Sequence, residues 1–199
     1  KGIGSLFNGQ NTTGSVQTTL DSRIQQAAKD ALGEREGSVV VIEPSTGAIK
    51  AMWSYPTYDP NLVAVQDDEL AGDVLRYLDS MPGKPLLANA YQERYMPGST
   101  FKVITAAGAL DAGLINSESL WEDESEFLPP QTNDPIQNYA NKVCGGDLAE
   151  VFRRSCNTPF ARTAIALGPQ KMVDSVQSFG IGEVIPFDLP RAVSSQFGD

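Results

Sequence analysis

The sequence contains no histidine, and this absence excludes much of common enzyme chemistry. Neither a Ser-His-Asp triad nor a Cys-His pair can form without an imidazole. Only two cysteines are present, so a zinc site would need two carboxylate ligands as well, which is an uncommon set. We therefore expect no metal site and no cofactor. A serine nucleophile would need a base other than histidine, and lysine is the main candidate.

Basic residues and long apolar runs are also scarce. Lysine and arginine total 15 against 25 acidic residues, which gives a net charge of −10 and argues against a nucleic-acid partner. No apolar run is long enough to span a bilayer, and the first residues lack a signal-peptide pattern. We expect either a cytoplasmic protein or an excised part of a longer chain. The 199 residues suffice for one domain with a sizeable core.

The chain is organised around a short motif and the apolar segment behind it. Residues 96–102 read MPGSTFK, and nearly every position from 101 to 112 is apolar or small. This pattern predicts a helix that is buried on all sides, with Gly113 at its C-terminal end. Ser99 and Lys102 are three residues apart, so their side chains share one helix face. A partly desolvated lysine has a lowered pKa and could take the proton from Ser99.

A purely structural interpretation of the same two residues stays open at this point. Ser99 could cap the helix, and Lys102 could extend its ammonium group to water along its apolar stem. Short motifs of the Ser-x-x-Lys kind also arise often by chance. The motif alone therefore does not decide between a catalytic and a structural role.

The first half of the chain predicts two helices with an antiparallel hairpin between them. Residues 1–16 are rich in turn formers and are expected to form a flexible entry segment. An amphipathic helix should follow, capped by Asp21 or Ser22. Two β-rich segments, residues 38–42 and 48–53, predict an antiparallel hairpin in a core sheet. The acidic segment over residues 67–80 predicts a surface helix.

The second half predicts three helices and a second polar cluster. The acidic, proline-bearing stretch over residues 118–135 is expected to be irregular. The first predicted helix covers residues 148–154 and is capped by Asp147; the second runs from Pro159 to Leu167 and is capped by Thr158; a third follows and ends at Gly180. Ser155 and Asn157 then lie at a helix junction, where a hydroxyl and a carboxamide can point into a cleft. Each is also routine at such a place without any catalytic role.

Together these motifs resemble those of a known family. Ser-x-x-Lys and Ser-x-Asn belong to the set found in penicillin-binding proteins and class A β-lactamases. Over residues 17–180 the chain resembles the transpeptidase domain of class B penicillin-binding proteins of the actinobacterial type. The resemblance rests on four stretches. Residues 18–25 (TTLDSRIQ) resemble the family's opening helix, and residues 37–47 with 54–61 resemble its first hairpin and exit. Residues 97–102 (PGSTFK) resemble its nucleophile motif, and residues 155–158 (SCNT) its second motif. It implies an α/β (α+β) fold of the penicillin-binding protein/β-lactamase type, with helices packed on an antiparallel sheet.

The resemblance also implies roles and partners. Ser99 would be the nucleophile, acylated by a peptidoglycan stem peptide or by a β-lactam antibiotic, and Lys102 would be its base. Ser155 would relay a proton to the leaving group, and Asn157 would position the substrate and Lys102. The substrate strands would derive from lipid II, and a glycosyltransferase would be a partner. The protein would act at the extracytoplasmic face of the bacterial plasma membrane, anchored by an N-terminal segment outside this chain.

In such a compartment Cys144 and Cys156 could form a disulfide, since a short linker can bring them together. Two unpaired thiols are the alternative.

One part of the family's pattern is missing. No Lys-Thr-Gly element follows Asn157, and the Ser-Thr-Gly at residues 45–47 is no substitute because it precedes the nucleophile. We therefore expect residues 17–199 to be the N-terminal part of a transpeptidase domain that needs the remainder of that domain for activity. A β-lactam sensor or other non-catalytic module is the alternative. A serine β-lactamase is less favoured, because nothing around Glu183 resembles its deacylation loop.

Overall fold

The computed structural model describes residues 15–198. The predicted flexible entry segment therefore lies outside the described residues, except for its last two positions. The chain forms two compact units, one ending at Glu93 and one beginning at Arg94. Helices and antiparallel sheets are mixed in both sequence halves, which confirms the predicted α/β class. Within residues 15–198 no helix combines the length and apolarity needed to cross a membrane.

The first unit is built on the predicted hairpin. In chain order its elements are α1 (Ser22–Leu32), β1 (Gly37–Ile42), β2 (Ile49–Tyr55), a 3₁₀ turn (Pro60–Leu62), α2 (Asp68–Ser80) and α3 (Asn89–Gln92). The two strands pair antiparallel, and the predicted surface helix is present as α2. Asp21, not Ser22, caps α1 by accepting hydrogen bonds from the first free N–H groups. Gln25 of α1 exchanges two 2.8 Å hydrogen bonds with the backbone of Met52, which fixes the helix on β2.

The second unit carries the motif residues. Its elements are a 3₁₀ turn (Gly98–Phe101), α4 (Lys102–Asp111), β3 (Leu120–Glu124), β4 (Glu126–Phe127), β5 (Ile136–Gln137), a second 3₁₀ turn (Tyr139–Asn141), β6 (Cys144–Asp147), α5 (Leu148–Arg153), α6 (Thr158–Leu167) and α7 (Pro169–Ser178). The three helices predicted after residue 147 are therefore confirmed. Asp147 caps α5 as predicted, accepting a 2.8 Å hydrogen bond from the backbone N–H of Glu150.

The prediction of irregular structure over residues 118–135 is wrong for residues 120–127 and holds for residues 128–135. Strands β3 and β4 lie in residues 120–127, and they pair antiparallel with β6 and β5. The charged residues of β3 are poor strand formers locally, but pairing with a distant segment overrides that preference. Gly145 permits this pairing, because a Cβ atom at that position would lie 2.5 Å from the carbonyl oxygen of Glu122.

Helix α4 is central to the second unit but is not buried on every side. Its inward residues join two apolar clusters: Ala106 packs with residues of β6, α5 and α6, and Ile104 packs with residues of α6 and α7. Val103 and Leu110 stay 50% and 44% exposed. The prediction of all-round burial is therefore wrong, because α6 and α7 cover only part of its circumference.

Candidate active site

Ser99 lies on the 3₁₀ turn that leads into α4. Gly98 begins the turn at a φ of 56°, in the left-handed region that favours glycine. Residues three apart are eclipsed in a 3₁₀ helix, so Ser99 and Lys102 stand one above the other. Lys102 Nζ accordingly donates a hydrogen bond to Ser99 Oγ at 3.2 Å. Ser99 makes no capping bond to α4, so this alternative role is wrong.

Lys102 directs its amine at protein acceptors rather than at bulk water. Besides Ser99, Nζ donates to Ser155 O at 2.7 Å, Ser155 Oγ at 3.0 Å and Asn157 Oδ1 at 2.7 Å. An ammonium group has three hydrogens for these four acceptors, so the bonds compete. Burial lowers the pKa of Lys102 below its ordinary value. No ion pair joins Lys102 to a carboxylate within residues 15–198.

Phe160 forms the apolar floor under this amine, with 5.7 Å between Nζ and the ring centroid. The ring is itself buried, and it shields one side of the Lys102 amine from water. Desolvation without a carboxylate partner favours the neutral amine. The arrangement can therefore accept a proton from the neighbouring serine hydroxyl.

Ser155 lies two residues beyond the last residue of α5, in an unusual backbone conformation. Its backbone N–H bonds to Phe152 O, and the N–H of Cys156 bonds to Val151 O, both at 3.0 Å. These two bonds form a Schellman motif, in which the left-handed position is usually glycine. Ser155 holds that position with a φ of 55°. The motif turns its hydroxyl back toward the 3₁₀ turn that carries Ser99, where Ser155 Oγ donates to Ser99 Oγ at 2.9 Å.

A disulfide fixes this junction from the other side. Cys144 of β6 bonds to Cys156, with 5.8 Å between the Cα atoms, so the predicted disulfide is confirmed. Both cysteines are buried in the cluster around Val151. Because Cys156 lies between Ser155 and Asn157, the crosslink anchors the backbone of both polar residues to β6.

Asn157 stands at the N-terminus of α6, and sequence reasoning missed the residues that hold it. The prediction that Thr158 caps α6 is wrong, since Thr158 is already helical. Asn157 Nδ2 donates to Gln137 O at 2.7 Å, and its backbone N–H donates to Asn138 Oδ1 at 2.6 Å. Neither Gln137 nor Asn138 belongs to a motif, so no sequence signal pointed to them.

All four predicted site residues thus meet at one place, and the chain can be compared with known proteins on that basis. Residues 37–197 match the family model described as penicillin-binding protein transpeptidase domain. A peptidoglycan D,D-transpeptidase, PbpA of Mycolicibacterium smegmatis, is 41% identical over 96% of this chain and 41% of its own length. MrdA of Escherichia coli, also a peptidoglycan D,D-transpeptidase, is 29% identical over 87% of this chain and 27% of its own length.

Solved structures of penicillin-binding proteins are also similar to this chain. The imipenem acyl-enzyme complex of penicillin-binding protein A from Mycobacterium tuberculosis has a TM-score of 0.81 and 36% identity, over 91% of this chain and 44% of that one. Pseudomonas aeruginosa penicillin-binding protein 2 has a TM-score of 0.79 and 31% identity, over 90% of this chain and 40% of that one.

The chain belongs to the family of penicillin-binding protein transpeptidase domains. Within that family it is of the class B, actinobacterial type. It spans about two fifths of the length of the mycobacterial relatives that it matches.

Proposed function

We propose that this chain carries the nucleophile and base of a peptidoglycan D,D-transpeptidase that is also acylated by β-lactams. The supporting observation is the convergence of Ser99, Ser155 and Asn157 on the Lys102 amine, whose pKa is lowered by burial. Neutral Lys102 takes the hydroxyl proton of Ser99, and Ser99 Oγ attacks the carbonyl carbon of the donor peptide. The same attack opens a β-lactam ring.

Breakdown of the tetrahedral intermediate needs a proton on the departing amine. Ser155 Oγ lies between Lys102 Nζ and Ser99 Oγ, at 3.0 and 2.9 Å, so it can pass the proton from the ammonium to that nitrogen. The C–N bond then breaks and leaves an acyl group on Ser99. An acceptor amine from a second stem peptide attacks this ester and loses its proton to the same relay. The acyl C–O bond then breaks, and the relay returns a proton to Ser99 Oγ. The backbone N–H of Ser99 supplies one oxyanion donor.

Asn157 has a positioning role in this scheme. Its Oδ1 holds Lys102 Nζ at 2.7 Å, and its carboxamide borders the place where the donor peptide must lie. The remaining donor for the oxyanion, on the Lys-Thr-Gly strand of the family, would come from the remainder of the transpeptidase domain. We therefore propose that residues 17–199 act together with that remainder.

The cellular setting follows from the substrate. Peptidoglycan strands derived from lipid II lie outside the plasma membrane, so we propose an extracytoplasmic protein held there by an N-terminal anchor. The Cys144–Cys156 disulfide supports this location, since disulfides persist in oxidising compartments. A glycosyltransferase that polymerises the glycan is the expected partner.

The function is tested on the transpeptidase domain that contains this chain. Incubation with benzylpenicillin should give a protein whose intact mass rises by one benzylpenicillin and stays raised for hours. The same protein should replace the terminal D-alanine of a stem pentapeptide with a labelled D-amino acid. Rapid loss of the adduct would indicate a β-lactamase, and a stable adduct without exchange would indicate a sensor. No adduct would contradict the proposal.

Ser155 offers a second test, because its hydroxyl should raise the acylation rate whereas its left-handed backbone should lower the stability of the fold. Ser155→Gly and Ser155→Ala both remove the hydroxyl, so both should slow acylation, by about 10² or more if the relay matters. Only glycine relieves the left-handed strain, so the glycine variant should be more stable than the alanine variant by about 1 kcal/mol. Urea unfolding measures the difference in free energy of unfolding. Equal stabilities would show that the φ of Ser155 carries no strain.

A further inference from the structure

The N-terminus of α6 is capped in an unusual way. An asparagine at the N-cap of a helix usually uses its side-chain oxygen to accept a hydrogen bond from the N–H of the second or third helical residue. Asn157 holds this position, but its side chain makes no such bond. Its backbone is already helical, with φ and ψ of −89° and −42°, unlike the extended backbone of an ordinary cap residue.

Asn138 supplies the missing cap from outside the helix. Its Oδ1 accepts hydrogen bonds from the backbone N–H groups of Asn157 at 2.6 Å and Thr158 at 3.1 Å. The next residue, Pro159, has no N–H to cap. Nineteen positions separate Asn138 from Asn157, so this is a tertiary contact and not a local turn.

The side chain of Asn138 is itself fixed. It is only 4% exposed, and its Nδ2 donates to Glu124 O at 2.8 Å and to Thr158 Oγ1 at 3.2 Å. All four hydrogen-bonding positions of the carboxamide are therefore used. Asn138 joins β3 to the start of α6, and it has no spare group with which to contact a substrate.

The consequence falls on the side chain of Asn157. Asn138 holds the backbone of Asn157 and Thr158, and with the backbone fixed there the Asn157 carboxamide points away from the helix. Its Oδ1 accepts from Lys102 Nζ and its Nδ2 donates to Gln137 O, both at 2.7 Å. Residues 137 and 138 thus hold the side chain and the backbone of Asn157 from one short segment.

We propose that Asn138 is a positioning residue that holds the backbone at the start of α6 and so keeps the Asn157 carboxamide on Lys102. Asn138 contacts neither Ser99 nor Lys102 in the hydrogen-bond network of the site, and it acts only through Asn157. The effect of Asn138 on acylation rests on the proposed function. Its effect on the orientation of Asn157 does not.

Asn138→Ala tests the inference in the transpeptidase domain that contains this chain. Without the two bonds from Asn138, the backbone at Asn157 should shift and its carboxamide should lose Lys102. The crystal structure of the variant reports this displacement directly. The benzylpenicillin acylation rate should fall at least about tenfold, since a hydrogen bond to a charged or proton-accepting amine is lost. Asn157 still bonded to Lys102 in the variant would overturn the proposal.

A double-mutant cycle separates positioning from general destabilisation. In an Asn157→Ala background, Asn138→Ala should lower stability but no longer change the acylation rate, because the group that it positions is absent. Thr163→Ala is the matched control. It removes another buried hydrogen bond, to Pro159 O at 2.8 Å, from the same helix without touching Asn157. Additive effects on acylation, or an equal loss in the Thr163 variant, would contradict the inference.

Asn138→Asp covers the case in which the alanine variant fails to fold. The aspartate side chain keeps an oxygen acceptor for both N–H groups, and in its protonated form the second oxygen can donate to Glu124 O as the amide does. It should therefore keep most of the acylation rate, whereas a folded aspartate variant as slow as Asn157→Ala would overturn the proposal. If the parent protein is not acylated on Ser99, the proposed function fails, while the crystal structure of the Asn138 variant still decides how Asn157 is held.

Discussion

Replacing Ser99 by alanine should abolish covalent labelling by β-lactams and reduce stem-peptide exchange by about 10⁴ or more, since the oxygen on which the acyl bond forms is removed. Ser99 Oγ is the atom on which Lys102 Nζ and Ser155 Oγ converge, at 3.2 and 2.9 Å. Its residue is exposed, so a peptide can reach it. Digestion of the labelled parent protein and mass spectrometry should place the adduct on the peptide that contains Ser99.

The matched control is Ser178→Ala. This serine ends α7, in the same unit, and its hydroxyl donates to the backbone oxygen of Ser175 in its own helix. The substitution is chemically identical, so labelling should persist at the parent rate. An adduct that survives Ser99→Ala, or one that maps to another peptide in the parent protein, would contradict the assignment of the nucleophile.

Local motifs made part of this site predictable. Ser99 and Lys102 are three residues apart on one turn, so their contact needs no knowledge of the fold. The helix caps Asp21 and Asp147, and the hairpin of β1 and β2, also depend on neighbouring residues, and the structure confirms them. The disulfide followed from a short linker together with a compartment implied by the family.

Long-range pairing was not predictable in the same way. The acidic strand β3 has little strand character until β6 provides its hydrogen-bond partners, and the segment between them gives no clue to their register. The capping of α6 by Asn138 is of the same kind, since the two partners are nineteen residues apart. In the sequence Asn138 looks like any asparagine in a turn, and only the structure shows the four hydrogen bonds of its carboxamide.

The left-handed position at the end of α5 shows a different limit. Sequence reasoning finds such positions by their glycine, and here the residue is Ser155. A serine in a conformation that costs about 1 kcal/mol or more gives no signal in the sequence that the turn is there. The exposure of Val103 and Leu110 on α4 marks a third limit, because composition tells how apolar a helix is but not which neighbours cover it.

Lys102→Arg should lower the rate of acylation by about 10² or more, because arginine keeps the charge but cannot give up a proton at accessible pH. The pKa of Lys102 is lowered by burial, so its neutral fraction grows as pH rises through a value below that of an ordinary lysine. Acylation of the parent protein should therefore increase with pH across that range, and acylation of the arginine variant should not follow it. Stopped-flow measurement with a fluorescent penicillin, over a pH series, records both effects.

Lys171→Arg provides the comparison for this experiment, since Lys171 is an exposed lysine on α7 and its substitution should leave the rate and the pH profile unchanged. The arginine at position 102 would also find the same acceptors, Ser155 O and Asn157 Oδ1, within reach of its larger head group. Packing and charge are thus largely retained while proton acceptance is lost. A near-normal rate with an unchanged pH profile in Lys102→Arg would mean that Lys102 contributes charge or packing only, and the base would have to be sought elsewhere.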